Sequence, residues 1–150
     1  MFPDYFHATI YPDLKALPHF DADLSLEDTP QAVIDFRAQI EKADGVLICT
    51  PEYIFSIPSG LKNALEWCVS TTVFSDKPVA LITASAAGEK GHEELQLIMR
   101  TLMAVINEET CLLIQGVKGK VGAAGAIDDP KILESLLRLA VSSKTQIAER

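Results

Sequence analysis

Residues 43–70 constrain the fold of this chain more strongly than any other part of the sequence. The apolar run 46–49 is unbroken, which is typical of a strand buried on both faces of a parallel sheet. Pro51 ends that strand, because proline has no N–H group to donate to a sheet. Ser56 and Pro58 then lie where a helix cap and a first helical turn are expected. Apolar residues follow at the spacing of one helical face: Leu61, Ala64, Leu65, Cys68 and Val69.

Strand and helix patterns alternate along the rest of the chain. Apolar runs predict further strands over 6–11, 79–83 and 111–115. Asp129 is expected to cap the last helix, with Pro130 at its first position. Helical stripes predict these inward-facing residues: Val33, Phe36, Ile40, Leu95, Ile98, Met99, Leu102, Val105, Ile106, Ile132, Leu133, Leu136, Leu137, Ala140 and Ile147. The alternation indicates one α/β domain over 1–150, built as a three-layer sandwich.

Short motifs in ordered succession carry a family resemblance. They are Pro51-Glu52-Tyr53, then Ser56-Ile57-Pro58, then Leu61-Lys62-Asn63-Ala64 followed by Glu66-Trp67. The run resembles the central signature of the NADPH-dependent FMN reductases, whose usual forms are PEYN, SIP, LKNA and DW. These are flavodoxin-like flavoproteins that include quinone, azo-dye and chromate reductases. The resemblance implies a flavodoxin-like parallel sheet.

One part of the family pattern has no counterpart in this sequence. The family begins with a strand and a phosphate loop of the form GSxRxxSxN, whose backbone N–H groups hold the FMN phosphate. Here residues 1–5 match the family's connection into its second strand. The resemblance thus implies an N-terminally incomplete domain, missing its first βα unit, with a gap between strands 6–11 and 46–49. Three explanations stay open: a truncated product, closure of the two strands, or another segment in the gap.

The resemblance also implies a flavin site at the carboxyl ends of the strands, where ligands bind in open α/β sheets. The first loop is expected to line the flavin ring with Pro51, Glu52, Tyr53 and Ile54. Ile54 departs from the family's asparagine and removes a polar group. The second ring loop is 84–88, and its site residues are Ser85 and Gly88. For both loops the competing interpretation is an ordinary strand–helix turn.

The implied activity is that of an NAD(P)H-dependent flavin reductase. Hydride would pass from NADPH, or from NADH, to bound FMN, and electrons would pass on to a quinone-like acceptor. Such chemistry belongs to the cofactor, so no catalytic acid or base is predicted. The alternative is a truncated, flavin-free structural or interaction module of the same fold, which the missing phosphate loop favours.

Composition and charge limit the partners of the chain. A net charge of −8 argues against binding nucleic acid or anionic membrane surfaces. No apolar run is long enough to span a bilayer, and the first residues lack the basic region of a signal peptide. Cys49, Cys68 and Cys111 are all predicted to be buried and reduced, which favours a cytoplasmic protein. The histidines show no metal-ligand spacing and are expected to be solvated or capping.

The helix around Trp67 raises the question of assembly. Trp67 falls just off the apolar stripe, which favours a position at an interface between subunits. The resemblance implies a homodimer or homotetramer that uses this helix and the helix of Met99. Lys62 and Glu66, four residues apart, are predicted to form an intrahelical ion pair. The glycine-rich stretch 116–125, with its two lysines, is predicted to be a mobile surface loop, although it could neutralise a phosphate.

Overall fold

A three-stranded parallel sheet forms the centre of the computed structural model, which describes residues 6–122 and 125–150. The strands, in spatial order, are β1 (Val46–Thr50), β2 (Val79–Ser85) and β3 (Cys111–Gln115). The helices are α1 (Gln31–Lys42), α2 (Ser59–Glu66), α3 (Glu89–Thr101) and α4 (Pro130–Ala148). Short 3-10 helices span Leu14–Ala16, Glu108–Thr110 and Val117–Gly119. The three predicted strands from residue 46 onwards are therefore confirmed.

The central strand β2 explains why the sheet is parallel. Its first four residues, 79–82, are all buried and apolar, as expected for a strand covered on both faces. β1 pairs with it from Val46↔Val79 onwards, and β3 pairs with it from Leu81↔Cys111 onwards. In such a sheet the carboxyl ends of all three strands lie at one edge.

Helices cover one face of β1 and β2. The main core joins β1 and β2 to α1, α2 and α3 through these buried residues: Val33, Phe36, Ile40, Ile48, Ala64, Leu65, Val79, Leu81, Leu95 and Met99. Leu81, Leu95 and Met99 are completely excluded from solvent. The helical periodicity of these three segments therefore predicted the inward faces correctly within the helices. Val69 and Val105, also predicted to face inward, lie beyond the ends of α2 and α3 and are 65% and 41% exposed.

The opposite face is covered only in part. There α4 packs on β2 and β3, and the second core consists of Ala80, Ile82, Ile114, Ile132 and Leu139. Leu47 and Cys49 of β1 pair in register with Ala80 and Ile82, yet both are exposed. The prediction that all three cysteines are buried is therefore wrong for Cys49, because no described helix reaches over β1 on this face. Cys68 is buried as predicted, whereas Cys111 is only partly buried.

The predicted strand over 6–11 is not formed. Residues 6–13 have no regular structure, and Ile10 is 85% exposed. A strand needs a neighbour for its N–H and C=O groups, and within the described residues β1 pairs only with β2. Tyr11 instead packs edge-on against Phe36 of α1, with ring centroids 5.0 Å apart. The two strands therefore do not close up, and no described segment fills the gap. Residues 1–5 lie outside the described part.

Two helix boundaries differ from the predicted ones. α2 begins at Ser59, with Pro58 at the cap position, because Ser56 is engaged in a tight turn with Tyr53. α3 ends at Thr101, before the last predicted stripe residues, and the left-handed backbone of Met103 (φ 62°) keeps the helix from continuing.

The last helix begins as predicted but faces partly outward. Asp129 caps α4, accepting a hydrogen bond of 2.9 Å from the backbone N–H of Lys131, and Pro130 is the first residue. Leu133 and Leu137, predicted to face inward, are 44% and 61% exposed, because α4 has no described neighbour on that side. In the predicted mobile loop 116–125, Val117–Gly119 forms a 3-10 turn, while residues 123 and 124 lie outside the described part.

Trp67 belongs to the core, so the prediction of an interface position for this side chain is wrong. Its indole N–H donates to the carbonyl of Pro18 at 2.8 Å, and its ring meets Phe20 edge-on. Asn63 holds the same segment, because its amide donates to Pro18 and accepts from the backbone N–H of Phe20. The second half of the motif run therefore fixes the loop 18–20. The predicted Lys62–Glu66 ion pair is present at 2.9 Å.

No helix in the described residues has the length and apolar character needed to cross a bilayer.

Candidate flavin site

The two predicted ring loops meet at the carboxyl edge of the sheet. The first follows β1 and the second follows β2, and the parallel pairing of these strands makes the loops neighbours. Glu52 of the first loop joins them. One carboxylate oxygen accepts from the backbone N–H of Gly88 at 3.2 Å, and the other accepts from Gly91 at 2.8 Å. The hydroxyl of Ser85 is 3.5 Å from the carbonyl of Glu52, to which it donates.

Glu52 thereby serves as the N-terminal cap of α3. The cap position of this helix is Gly88, which has no side chain to satisfy the free N–H groups of the first turn. A carboxylate there is bonded to two of those groups and is stabilised by the helix dipole. Gly91 makes this approach possible, because an added Cβ would lie only 3.2 Å from the Cγ of Glu52. Sequence reasoning missed Gly91, since its role depends on a residue 39 positions away.

The backbone at Gly88 also favours glycine. Its φ of 92° lies in the left-handed region that other residues rarely adopt, and a Cβ there would require the Cδ1 of Leu113, 2.9 Å away, to move. The neighbouring Ala86 and Ala87 are exposed, so the second loop presents small side chains and accessible backbone to solvent. The carbonyl of Ala86 accepts from the N–H of Gly116, which places the start of the loop after β3 beside it.

Residues 53–56 form a tight turn that projects from the first loop. Tyr53 and Ser56 exchange backbone hydrogen bonds of 2.9 and 3.1 Å, and the two residues between them are Ile54 and Phe55. Both have positive φ angles, 53° and 57°. Tyr53, Ile54 and Phe55 are all exposed, so the predicted aromatic surface of Tyr53 is available beside the two loops.

His92 lies behind the site, on the first turn of α3. It is buried, and its Nδ1 is 2.9 Å from the hydroxyl of Thr83, which is itself completely buried. Burial lowers the pKa of His92, which favours the neutral ring. The predicted solvated or capping role is therefore wrong for this histidine.

The residues of the two loops fit a flavin ring better than they fit its phosphate. Small side chains, accessible backbone and an exposed aromatic ring suit a planar, largely uncharged group. Neither 51–58 nor 84–88 contains a lysine or an arginine. The first turn of α3, which would otherwise attract an anion, already holds the carboxylate of Glu52.

Comparison with known proteins agrees with the fold. The family model for "NADPH-dependent FMN reductase" matches residues 4–117. A quinone reductase of Escherichia coli is 37% identical over 99 residues, covering 64% of this chain and 52% of that protein. An NAD(P)H-dependent FMN reductase of Pseudomonas aeruginosa is 32% identical over 128 residues, covering 81% of this chain and 69% of that protein. The chain thus spans about half the length of the E. coli relative.

A solved structure supports the same assignment. FerB, a flavoenzyme NAD(P)H:(acceptor) oxidoreductase of Paracoccus denitrificans, has a TM-score of 0.77 and 27% identity, covering 91% of this chain and 78% of FerB. The predicted flavodoxin-like α/β fold is confirmed, and the expected FMN and NADPH agree with the description of the family. The chain therefore belongs to the NADPH-dependent FMN reductase family.

Proposed function

We propose that this chain binds a flavin at the carboxyl edge of its sheet, accepts hydride from NADPH or NADH, and delivers electrons to a quinone-like acceptor. The observation that carries the proposal is the junction of the two loops by Glu52, which bonds to both Gly88 and Gly91. A ring-binding surface made from two separate loops needs such a fixed junction, because ligands bind best to preformed sites.

Each site residue has a role in this proposal. Pro51 ends β1 and turns the chain, and Glu52 fixes the second loop against the first. Ser85 and Gly88 shape that second loop, while Tyr53 and Ile54 border the ring site from the projecting turn. A bound flavin supplies the hydride-accepting chemistry. The chain's own residues orient the ring and exclude water from it, and none is needed as an acid or base.

The decisive experiment is direct. Purified protein is examined for the visible absorbance bands of a flavin, and then for oxidation of NADPH and NADH with added FMN or riboflavin and a quinone. We expect flavin-dependent oxidation of the reduced nicotinamide. A protein that binds neither FMN nor riboflavin would contradict the proposal.

A second candidate function is a flavin-free interaction module of the same fold. One observation favours it, namely the uncovered face of β1 at Leu47 and Cys49, since exposed apolar faces mark interaction sites. The same absorbance measurement separates the two candidates. A colourless protein that does not take up flavin would favour the interaction module.

Assembly and location are part of the proposal. We infer a homodimer or homotetramer in the cytoplasm, with flavin and a small-molecule acceptor as partners and neither nucleic acid nor membrane. Trp67 is buried and therefore gives no support for assembly. Support comes instead from exposed apolar residues such as Leu97 of α3, which is 64% exposed. Sedimentation at about tens of micromolar protein tests it, since dimers with dissociation constants of about 1 μM or below are mostly associated at that concentration. A monomer would contradict it.

A further inference from the structure

A groove with a volume of about 470 Å³, here named the α4 groove, lies beside the last helix. Its lining comes from α4 on one side and from Asn107 and Glu109 on the other. These two residues precede β3, so the groove lies towards the amino edge of the sheet, whereas the candidate flavin site lies at the carboxyl edge. Neither ring loop contributes to the lining. An inference about this groove therefore does not depend on the proposed function.

Two buried polar groups in the lining of the α4 groove have no partner. Ser142 is only 8% exposed, and its hydroxyl makes no hydrogen bond with any described residue. The side-chain oxygen of Gln146 is also buried, and it finds no donor among residues 6–122 and 125–150. The two residues are four apart and so lie on the same face of α4. Since native proteins leave few buried polar groups unpaired, both groups indicate a partner from outside the chain.

The charge around the α4 groove favours a cation as that partner. Three carboxylates line it, those of Glu109, Glu134 and Glu149, and Arg138 is the one cation in the lining. None of these four side chains forms an ion pair with a described residue. The last turn of α4 contains no lysine or arginine, although the partial negative charge at the end of a helix attracts cations. The oxygen of Gln146 can only accept hydrogen bonds, so its missing partner is a donor.

We propose that the α4 groove binds a linear aliphatic polyamine. Leu137 and Val141, which are 61% and 58% exposed, give the groove an apolar side along which a methylene chain can lie. Ser142, Gln146 and Glu149 follow one another at intervals of one helical turn, about 5.4 Å. Links of three or four carbon atoms separate the nitrogens of such a ligand by about 5–6 Å. Successive ammonium groups therefore meet successive turns of α4.

Other classes of ligand fit the α4 groove less well. No group of side chains that could hold a metal ion occurs within the described residues. An anion would be repelled by three carboxylates, and a stable protein interface needs about 800 Å² per partner, more than two apolar side chains offer.

The first test titrates spermidine into the purified chain and measures its affinity by calorimetry. Glu109→Gln/Glu149→Gln should weaken binding about tenfold, because charge-assisted hydrogen bonds to both carboxylates are lost. Glu27→Gln/Glu41→Gln, at exposed residues outside the groove, is the control with the same change in net charge and should leave the affinity nearly unchanged. Arg138→Gln should strengthen binding, since it removes the cation of the groove itself.

A second variant separates a ligand site from a packing defect. Without spermidine, Ser142→Ala should unfold at a temperature about 2–4 °C higher than the wild type, because an unpartnered hydroxyl is removed and alanine favours the helix. The same variant should bind spermidine several-fold more weakly. A Ser142→Ala protein that binds spermidine as tightly as the wild type would contradict the proposed contact.

The location of binding completes the test. In ¹⁵N-labelled protein, spermidine should shift the amide signals of Asn107, Glu109 and residues 142–149. Signals that stay unmoved there would overturn the inference, and so would equal weakening in the two double glutamine variants, which would mean diffuse attraction to the net charge of −8. Tighter binding of trilysine than of spermidine would overturn it in favour of lysine side chains from another protein.

Discussion

At the scale of single residues, Glu52 is the side chain on which the candidate site depends most. It satisfies two N–H groups of α3 from a different loop, so its loss removes a helix cap and a tertiary link together. For Glu52→Gln we expect a loss of about 1–2 kcal/mol in the free energy of unfolding. The glutamine amide carries no charge, and its NH2 group cannot accept a hydrogen bond from the second backbone N–H of α3. Urea denaturation measures this loss, and hydrogen exchange at Gly88 and Gly91 locates it.

The matched control for Glu52 is Glu93→Gln on the same helix. Glu93 forms an exposed ion pair with Lys90 at 2.8 Å, and exposed pairs contribute little to stability. Equal unfolding midpoints for the two variants would show that the cap formed by Glu52 does not stabilise the fold.

His92 gives a second prediction at this scale, through the pH dependence of stability. Burial lowers the pKa of His92 in the native protein below its ordinary value of 6.5. As the pH falls past 6.5, His92 therefore takes up a proton in the unfolded chain while the native ring stays neutral. This contribution to stability is present above the unfolded pKa and is lost as the pH falls below it. His92→Asn should therefore lose less stability than the wild type between pH 7 and pH 5. Parallel pH profiles for the two proteins would contradict this.

At the scale of elements, β1 differs from β2 although both are apolar runs. Leu81 of β2 is completely buried, whereas Leu47 of β1 is 37% exposed on the face that α4 does not cover. Leu81→Ala should lower the free energy of unfolding by about 2–5 kcal/mol, and Leu47→Ala by less than about 1 kcal/mol. Chemical denaturation compares them. Similar losses would mean that another polypeptide covers β1 in solution.

At the scale of the whole molecule, the 150 residues of the chain include the two loops proposed to hold the flavin ring, and they contain no GSxRxxSxN segment. Charge-assisted hydrogen bonds contribute about 1.5–3 kcal/mol each, so FMN should lose several orders of magnitude in affinity and riboflavin much less. We expect similar dissociation constants for the two flavins when each is titrated by fluorescence quenching.

A strong preference for FMN would contradict that expectation and would point to another anchor. The stretch with Lys118 and Lys120 is the alternative, since it begins at Gly116, beside Ala86 of the second ring loop. Lys118→Ala/Lys120→Ala would then lower the affinity for FMN without changing the affinity for riboflavin. Lys42→Ala/Lys90→Ala, at exposed residues of α1 and α3, is the control with the same change in net charge.

The sequence by itself determined the features that depend on local pattern. Periodicity within a few neighbouring residues predicts the apolar runs of β1, β2 and β3 and the inward faces of α1 to α3. Local capping chemistry predicts the start of α4 at Asp129-Pro130. Only the tertiary structure decided what depends on a distant partner. Residues 6–11 have strand composition but no strand beside them, and Trp67 is buried because Pro18 and Phe20 fold over it. Glu52 caps a helix that begins 37 residues later, since its hydrogen bonds form only after the two loops meet.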